Sequence, residues 1–404
     1  MGSTVSAADT PGSAWRPATR AVRSGLARSE FEETAEALFL TSGYVYGSAA
    51  EAEAAFTGDH DRFIYSRYGN PTVAMFEERF RSLEGTEAAF AVSSGMSAVF
   101  NSLAAGLSAG DRVVASRGLF GSCFIILDEI LPRWGITTEF VDGTDLDAWR
   151  KALEQPASVV FFESPSNPMQ ELVDIAAVSE LAHAAGASVI VDNVLASPVL
   201  QRPAELGADV VVYSATKHVD GQGRTLGGIV LGSEEFIRNK LQPLIRHTGP
   251  SLSPFNAWVL VKALETMHLR VTQQSASALV IAQHLEQHQL ISQVRYPGLE
   301  SHPQYELAQR QMTAGGTTIT FELAGSKADA FQLLDSLELV DISNNLGDSK
   351  TLITHPASTT HHRLGPVRRA EMGITDQTIR LSVGLEDTDD LLSDLGHALA
   401  SLDR

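Results

Sequence analysis

The chain has 404 residues, 44% hydrophobic and 20% charged, which excludes a largely disordered chain and leaves room for two domains. Lys and Arg number 30 against 49 Asp and Glu, a net charge of −19, which excludes nucleic acid and an anionic membrane surface as partners because both need positive charge. The one cysteine, Cys123, allows no internal disulfide and no CxxC metal or redox motif, and fits a reducing cytoplasm.

Residues 1 to about 20 are rich in Ser, Ala, Gly, Thr and Pro and are expected to form a loose tail, without the apolar core of a signal peptide. From Ala21 to Asp61 the apolar residues are irregular and punctuated by Gly. That stretch is expected to be an arm that packs on something else, such as another subunit. No apolar run reaches the ~18 residues a membrane helix needs.

From Tyr65 the pattern becomes regular. Short β-branched or apolar runs at 88–92, 112–115, 138–141, 158–162, 188–191, 209–213 and 228–231 are expected to be strands. Segments with 3.6-residue apolar spacing lie between most of them, among them 72–83, 96–107, 122–131 and 175–185. This alternation predicts an α/β unit with a mostly parallel sheet. SVIVD and DVVVY read as strands covered on both faces. Beyond about residue 250 the texture shifts to a long helix at 254–285, the strand GGTTITFEL, a helix near 328–337, the polar loop NNLGDSKTL, the strand TIRLSVGLE and a last helix at 387–402. The expected division is a tail and arm at 1–64, a large domain at 65–262 and a smaller α+β domain at 263–404.

The chemistry concentrates at strand ends. The buried run ADVVVY leads into Ser214, Thr216 and Lys217. A Lys rarely ends a buried strand unless it is paired or working. Desolvation lowers its pKa and fits it to form an imine with an aldehyde cofactor, and the flanking hydroxyls suit a phosphate. Twenty-five positions upstream, SVIVD ends in Asp192, at the edge where ligands of such sheets bind. Pyridoxal phosphate needs both groups: a Lys for its aldehyde, and an acid that keeps the pyridine nitrogen protonated. AFAVSSGMSA runs from a strand through Gly95 and Met96 into a helix, whose N-terminal N–H groups make an anion site. FFESPSNP ends a strand in a Pro-stiffened loop that aims Asn167 at the same crevice.

The motifs YSRYGNPT (65–72), SSGMSA (93–98), ESPSNP (163–168), VDN (191–193), YSATKH (213–218), GDSKTLITHPASTTH (347–361) and IRLSVGLE (379–386) resemble those of the trans-sulfuration, or Cys/Met metabolism, family of pyridoxal phosphate (PLP) enzymes. The match runs from about residue 35 to the C-terminus. The resemblance implies the fold type I of PLP-dependent transferases, with a mostly parallel seven-stranded sheet flanked by helices on both faces. It also implies a smaller C-terminal domain and a homotetramer whose active sites are shared between subunits. It implies that Lys217 holds the cofactor, that Asp192 binds its ring nitrogen, and that Gly95, Met96, Ser214 and Thr216 cradle its phosphate. Tyr65 and Arg67 would reach that phosphate from a neighbouring subunit. Arg380 would clamp the substrate α-carboxylate with Asn345 beside it, and Asn167 would contact the ring's 3′-oxygen or the substrate.

The departures narrow the expectation. The residue stacked on the cofactor ring is usually Tyr in this family, and here it is Phe120, which keeps the stacking in the catalytic set and loses the hydroxyl. The Cys that marks the methionine γ-lyases is here Ser122. The usual Ser-Leu-Gly reads Asn345-Leu346-Gly347. Together these resemble most closely the members that take O-succinylhomoserine and sulfide. Cys123 is expected to be a buried thiol. His355, His361 and His362 are expected to be solvated loop residues and not metal ligands, and Gly221-Gln222-Gly223 to let the chain pass close to the cofactor.

Overall fold

The computed structural model describes residues 15–402. Seven strands, β1 (Ala88–Val92), β2 (Arg112–Ser116), β3 (Thr137–Val141), β4 (Val159–Glu163), β5 (Ser188–Asp192), β6 (Val210–Ser214) and β7 (Gly228–Gly232), form one sheet in the order β1-β7-β6-β5-β4-β2-β3. β7 is antiparallel to both neighbours and the other pairs are parallel. Phe162, Val191 and Val211 enter one core, while Phe161, Ile190 and Val212 enter another on the opposite face. Each such side chain contributes roughly 1.5–3 kcal/mol when buried. Because both faces are covered, these strands read as continuous apolar runs. Their parallel course brings the C-terminal residues Ser116, Glu163, Asp192 and Ser214 to one edge.

The flanking helices follow from local chemistry. Pro71–Glu84 starts at Asn70, whose side chain accepts from the Thr72 N–H at 2.9 Å, has Pro in its first turn, and stops at Gly85 with φ 91°. The long helix Pro254–Glu286 buries Ala257 to Val271 in the large-sheet core and Ala278 to Leu285 in a second core. The change of core falls beyond the 262/263 division. The second sheet holds β8 (Ile291–Arg295), β9 (Thr318–Leu323), β10 (Asp341–Ile342), β11 (Leu352–Thr354) and β12 (Thr378–Ser382), in the order β10-β11-β12-β9-β8. β8, β10 and β11 carried no clear sequence signal, because the first is half exposed and the others have two and three residues.

Part of the expected tail is ordered. Pro17–Arg23 is a helix with Ala21 buried in the large-sheet core; residues 1–14 of that expectation lie outside the described residues. The arm is tied down by Glu36, which pairs with Arg79 and Lys262. Elsewhere it leaves Phe31, Leu40 and Val45 82%, 69% and 91% exposed. Among the described residues no helix is long and apolar enough to cross a membrane.

Candidate active site

Lys217 follows β6, and its ammonium donates to Asn345 Oδ1. Burial, and then the Arg380 charge, lower its pKa to about 8. Ser214 packs so tightly against Gly95 that a Cβ there would lie 2.5 Å from the Ser214 Cβ. Gly95 opens the helix Gly95–Gly106, whose cap Ser94 accepts from the Ser97 N–H at 3.1 Å. Met96 follows it. The Thr216 hydroxyl accepts from the Gly227 N–H at 3.2 Å. The structure therefore gathers Gly95, Met96, Ser214 and Thr216 beside a helix N-terminus, which favours an anion.

Asp192 is in register with Glu163 across β5 and β4. Burial pushes Asp192 up to about 7, opposed by the Val194 N–H it accepts at 3.1 Å. Glu163 rises well above the usual carboxylate range through burial and then through Asp192. Its Oε2 accepts from the Phe120 N–H at 2.9 Å, and its Oε1 is buried with no hydrogen-bond partner among the described residues. Glu163 thus fixes the backbone that carries Phe120. Behind Asp192, the Asn193 amide donates to the Tyr213 hydroxyl at 2.7 Å, and that hydroxyl donates to Glu84. Burial raises Glu84 to about 7.

Arg380 comes from β12 and is 1% exposed. Its Nη1 donates to Asn167 Oδ1 at 3.0 Å, and its Nη2 to the carbonyls of Asn344 and Asn345 at 2.9 and 3.0 Å. Its Nε–H is buried and has no partner among the described residues. A planar guanidinium held this way offers its remaining donors to one carboxylate. His361 Nε2 meets the Asn167 carbonyl at 3.2 Å, and burial lowers the imidazole pKa to about 4, so it is neutral and donates there.

The expectation for two of the loop histidines changes. His355 and His361 are 2% and 0% exposed, so they are not solvated loop residues; a loop that folds back over a strand end gives no periodic signal of burial. His362 is exposed. Gly221, with φ 63°, is demanded by Arg270, whose Nη1 would lie 1.7 Å from a Cβ there, and Gly223 by Asp348 at 2.8 Å. Cys123 is 2% exposed, and burial raises its thiol pKa.

Within this chain Tyr65 and Arg67 stand apart from the Lys217 cluster. The Arg67 guanidinium lies 5.3 and 4.8 Å from the Tyr65 and Tyr68 ring centroids and donates to the Arg246 carbonyl. Sequence reasoning assigned no role to Glu163, Asn344 and His361. Glu163 carries the same signal as Asp192, an acid ending a buried strand; the other two act through a backbone carbonyl and a loop contact, which leave no pattern. Among the described residues no group of three or more His, Cys, Asp or Glu is arranged to hold a metal ion.

These residues fit pyridoxal phosphate. Asp192 is a buried acid short of a cation, which a pyridinium N–H would supply. Lys217 is a desolvated amine. The close approach of Gly95 to Ser214 keeps the helix N-terminus open to a phosphate.

A family model described as Cys/Met metabolism PLP-dependent enzyme matches residues 18–400. The chain is 62% identical over 387 residues to an O-succinylhomoserine sulfhydrylase of Mycobacterium tuberculosis, covering 95% of each. It is 49% identical over 384 residues to an O-succinylhomoserine sulfhydrylase of Pseudomonas aeruginosa, again covering 95% of each. Its fold superposes with a TM-score of 0.92 on the crystal structure of cystathionine gamma synthase from Xanthomonas oryzae pv. oryzae in complex with aminoacrylate and cysteine, at 32% identity, covering 96% of this chain and 98% of that one.

Proposed function

The chain belongs to the Cys/Met metabolism PLP-dependent enzyme family, and from that premise we propose that it exchanges the γ-substituent of an O-acylhomoserine, O-succinylhomoserine foremost, for sulfide. The product is homocysteine, for methionine biosynthesis in the cytoplasm. The observation that carries this reading is the convergence of Lys217, Asn345 and Arg380 at the strand ends that also present Asp192. The 62% identity over 95% of both chains supports the choice of ester and thiol.

Pyridoxal phosphate, when bound, supplies the electron sink that lets an amino acid lose its α-proton. The chain's own residues do the rest. Lys217 Nζ, with a pKa of about 8, takes and returns protons near neutral pH. Asn345 Oδ1 holds that amine in place. Asp192 would face the ring nitrogen, Phe120 the ring, and Gly95, Met96, Ser214 and Thr216 the phosphate. Arg380 offers its free Nε–H to the α-carboxylate, and Asn167 and His361 keep the guanidinium aimed. Sulfide needs no carboxylate clamp of its own, whereas cysteine does, and Arg380 is already used by the homoserine half.

The test is a two-by-two assay of O-succinylhomoserine and O-acetylhomoserine with sulfide and cysteine. The succinyl ester with sulfide should give the highest kcat/KM, and 2-oxobutanoate release without a thiol should be slow. A higher kcat/KM with cysteine would make the protein a cystathionine γ-synthase.

The site is also proposed to be shared within a homotetramer. Support comes from Tyr65 and Arg67 standing apart from Lys217 in their own chain, and from the exposed apolar residues of the arm. Mixed Arg67→Ala and Lys217→Ala subunits, each inactive alone, should recover activity as hybrids. Proven hybrids with no recovery would count against sharing.

A further inference from the structure

A cavity of about 480 Å³ opens beside the site. Its lining mixes apolar side chains, among them Met96, Phe100 and Ile126, with Ser122, Thr360 and Arg363. It is continuous with the site by chain and by contact. Gly121 follows Phe120, and a Cβ there would lie 3.3 Å from the Thr360 carbonyl. Thr360 in turn precedes His361, which bonds Asn167. The cavity therefore adjoins the loops that carry Phe120 and His361.

Its charge is unusual for this molecule. The chain carries −19, yet residues 356–370 hold three Arg and no Asp or Glu, and no acid lines the cavity. Two of the three are engaged. Arg368 stands 5.0 Å from the Phe124 ring centroid and 3.6 Å from Glu371, and Arg369 donates to the Ala357 carbonyl at 2.9 Å. The Arg363 guanidinium has no hydrogen bond or ion pair among the described residues. A cation without a counter-ion among the described residues, lining with Phe100 and Ile126 a cavity that Met96 also lines, matches a ligand with a short methylene chain ending in a carboxylate.

We propose that Arg363 is a specificity-determining residue that recognises the free carboxylate of a dicarboxylic acyl leaving group, succinyl foremost, and so separates such esters from acetyl. This rests on the O-acylhomoserine reading above. Phe100 and Ile126 cover the two methylenes, and Arg363 holds the carboxylate until the ester C–O bond breaks and the acid departs as succinate.

The test compares kcat/KM for O-succinylhomoserine and O-acetylhomoserine, with sulfide, in the wild-type holoenzyme, Arg363→Gln and Arg363→Lys. Gln should lower the succinyl value about tenfold, mainly through KM, as expected for a charge-assisted bond partly open to water. It should leave the acetyl value within about twofold, since that ester has no second carboxylate for the lost charge to hold. Lys should restore most of the loss. Succinate, tested as an inhibitor of the acetyl reaction, should bind about tenfold more weakly to the Gln variant, by the loss of the same bond. An equal fall for both esters, or an unchanged ester ratio in an active Arg363→Gln enzyme, overturns the Arg363 assignment alone. A wild type that turns over neither ester overturns the functional reading and this proposal together. A wild type that uses the esters only with cysteine overturns the sulfide reading, and the ester ratio, measured with cysteine, still decides Arg363.

Discussion

The floor of the site and its mouth use the same kinds of charged group in opposite ways. At the floor, burial moves every titratable group toward its neutral form: Asp192 up to about 7, Lys217 down to about 8, Arg380 down to about 10 and His361 down to about 4. At the mouth, Arg363 is exposed and has no hydrogen-bond or ion-pair partner among the described residues. Desolvated groups are worth much more per contact than exposed ones, and they answer to pH and to loss of a partner; exposed ones answer to salt. The floor is built for proton transfer and rigid clamping, and the mouth for choosing a substrate.

Removing the amine at the floor should do the most damage. Lys217→Ala is expected to keep the fold and lose activity by roughly 10²–10⁴-fold or more, with no cofactor fixed to the protein by borohydride. A peptide still labelled at another lysine would move the role elsewhere. Arg380→Lys comes next. A point charge cannot replace a planar fork, so kcat/KM should fall about a hundredfold while cofactor affinity stays near that of the wild type. An unchanged KM and kcat would take Arg380 out of the site.

Glu84 tests whether the layer behind Asp192 shares the floor's character. Its folded pKa of about 7 lies above the usual glutamate value of 4.5. The folded state therefore holds the extra proton, and stability present below pH 4.5 is lost as pH rises toward 7. Glu84→Gln keeps an acceptor for Tyr213 and has no proton to lose. The wild type should lose on the order of 1–3 kcal/mol more than the variant between pH 4.5 and 8, read by denaturant unfolding. Parallel pH profiles would refute a protonated Glu84. The smallest effect belongs to the mouth. Raising ionic strength from about 0.05 to 0.5 M should erode the succinyl-over-acetyl preference severalfold and leave the acetyl KM, set by buried Arg380, nearly unchanged.

Residues that act through strand ends could be read from the chain, because a buried parallel strand leaves a run such as VVVYS or SVIVD and puts its last polar residue at the ligand edge. Lys217, Asp192 and the buried strands β4, β5 and β6 were legible for that reason, and the order of the motifs identified the family. Glu163 was legible in principle by the same pattern. What the sequence could not determine are the contacts between distant loops. Asn345 reaching Lys217, the carbonyls of Asn344 and Asn345 receiving Arg380, and His361 bonding Asn167 join positions 128, 36 or 35, and 194 residues apart. No local periodicity encodes such pairings; they exist only once two sheets have packed across the helix Pro254–Glu286. The same holds for Arg363, one exposed arginine among three in its segment, until the folded chain sets it against Phe100 and Ile126.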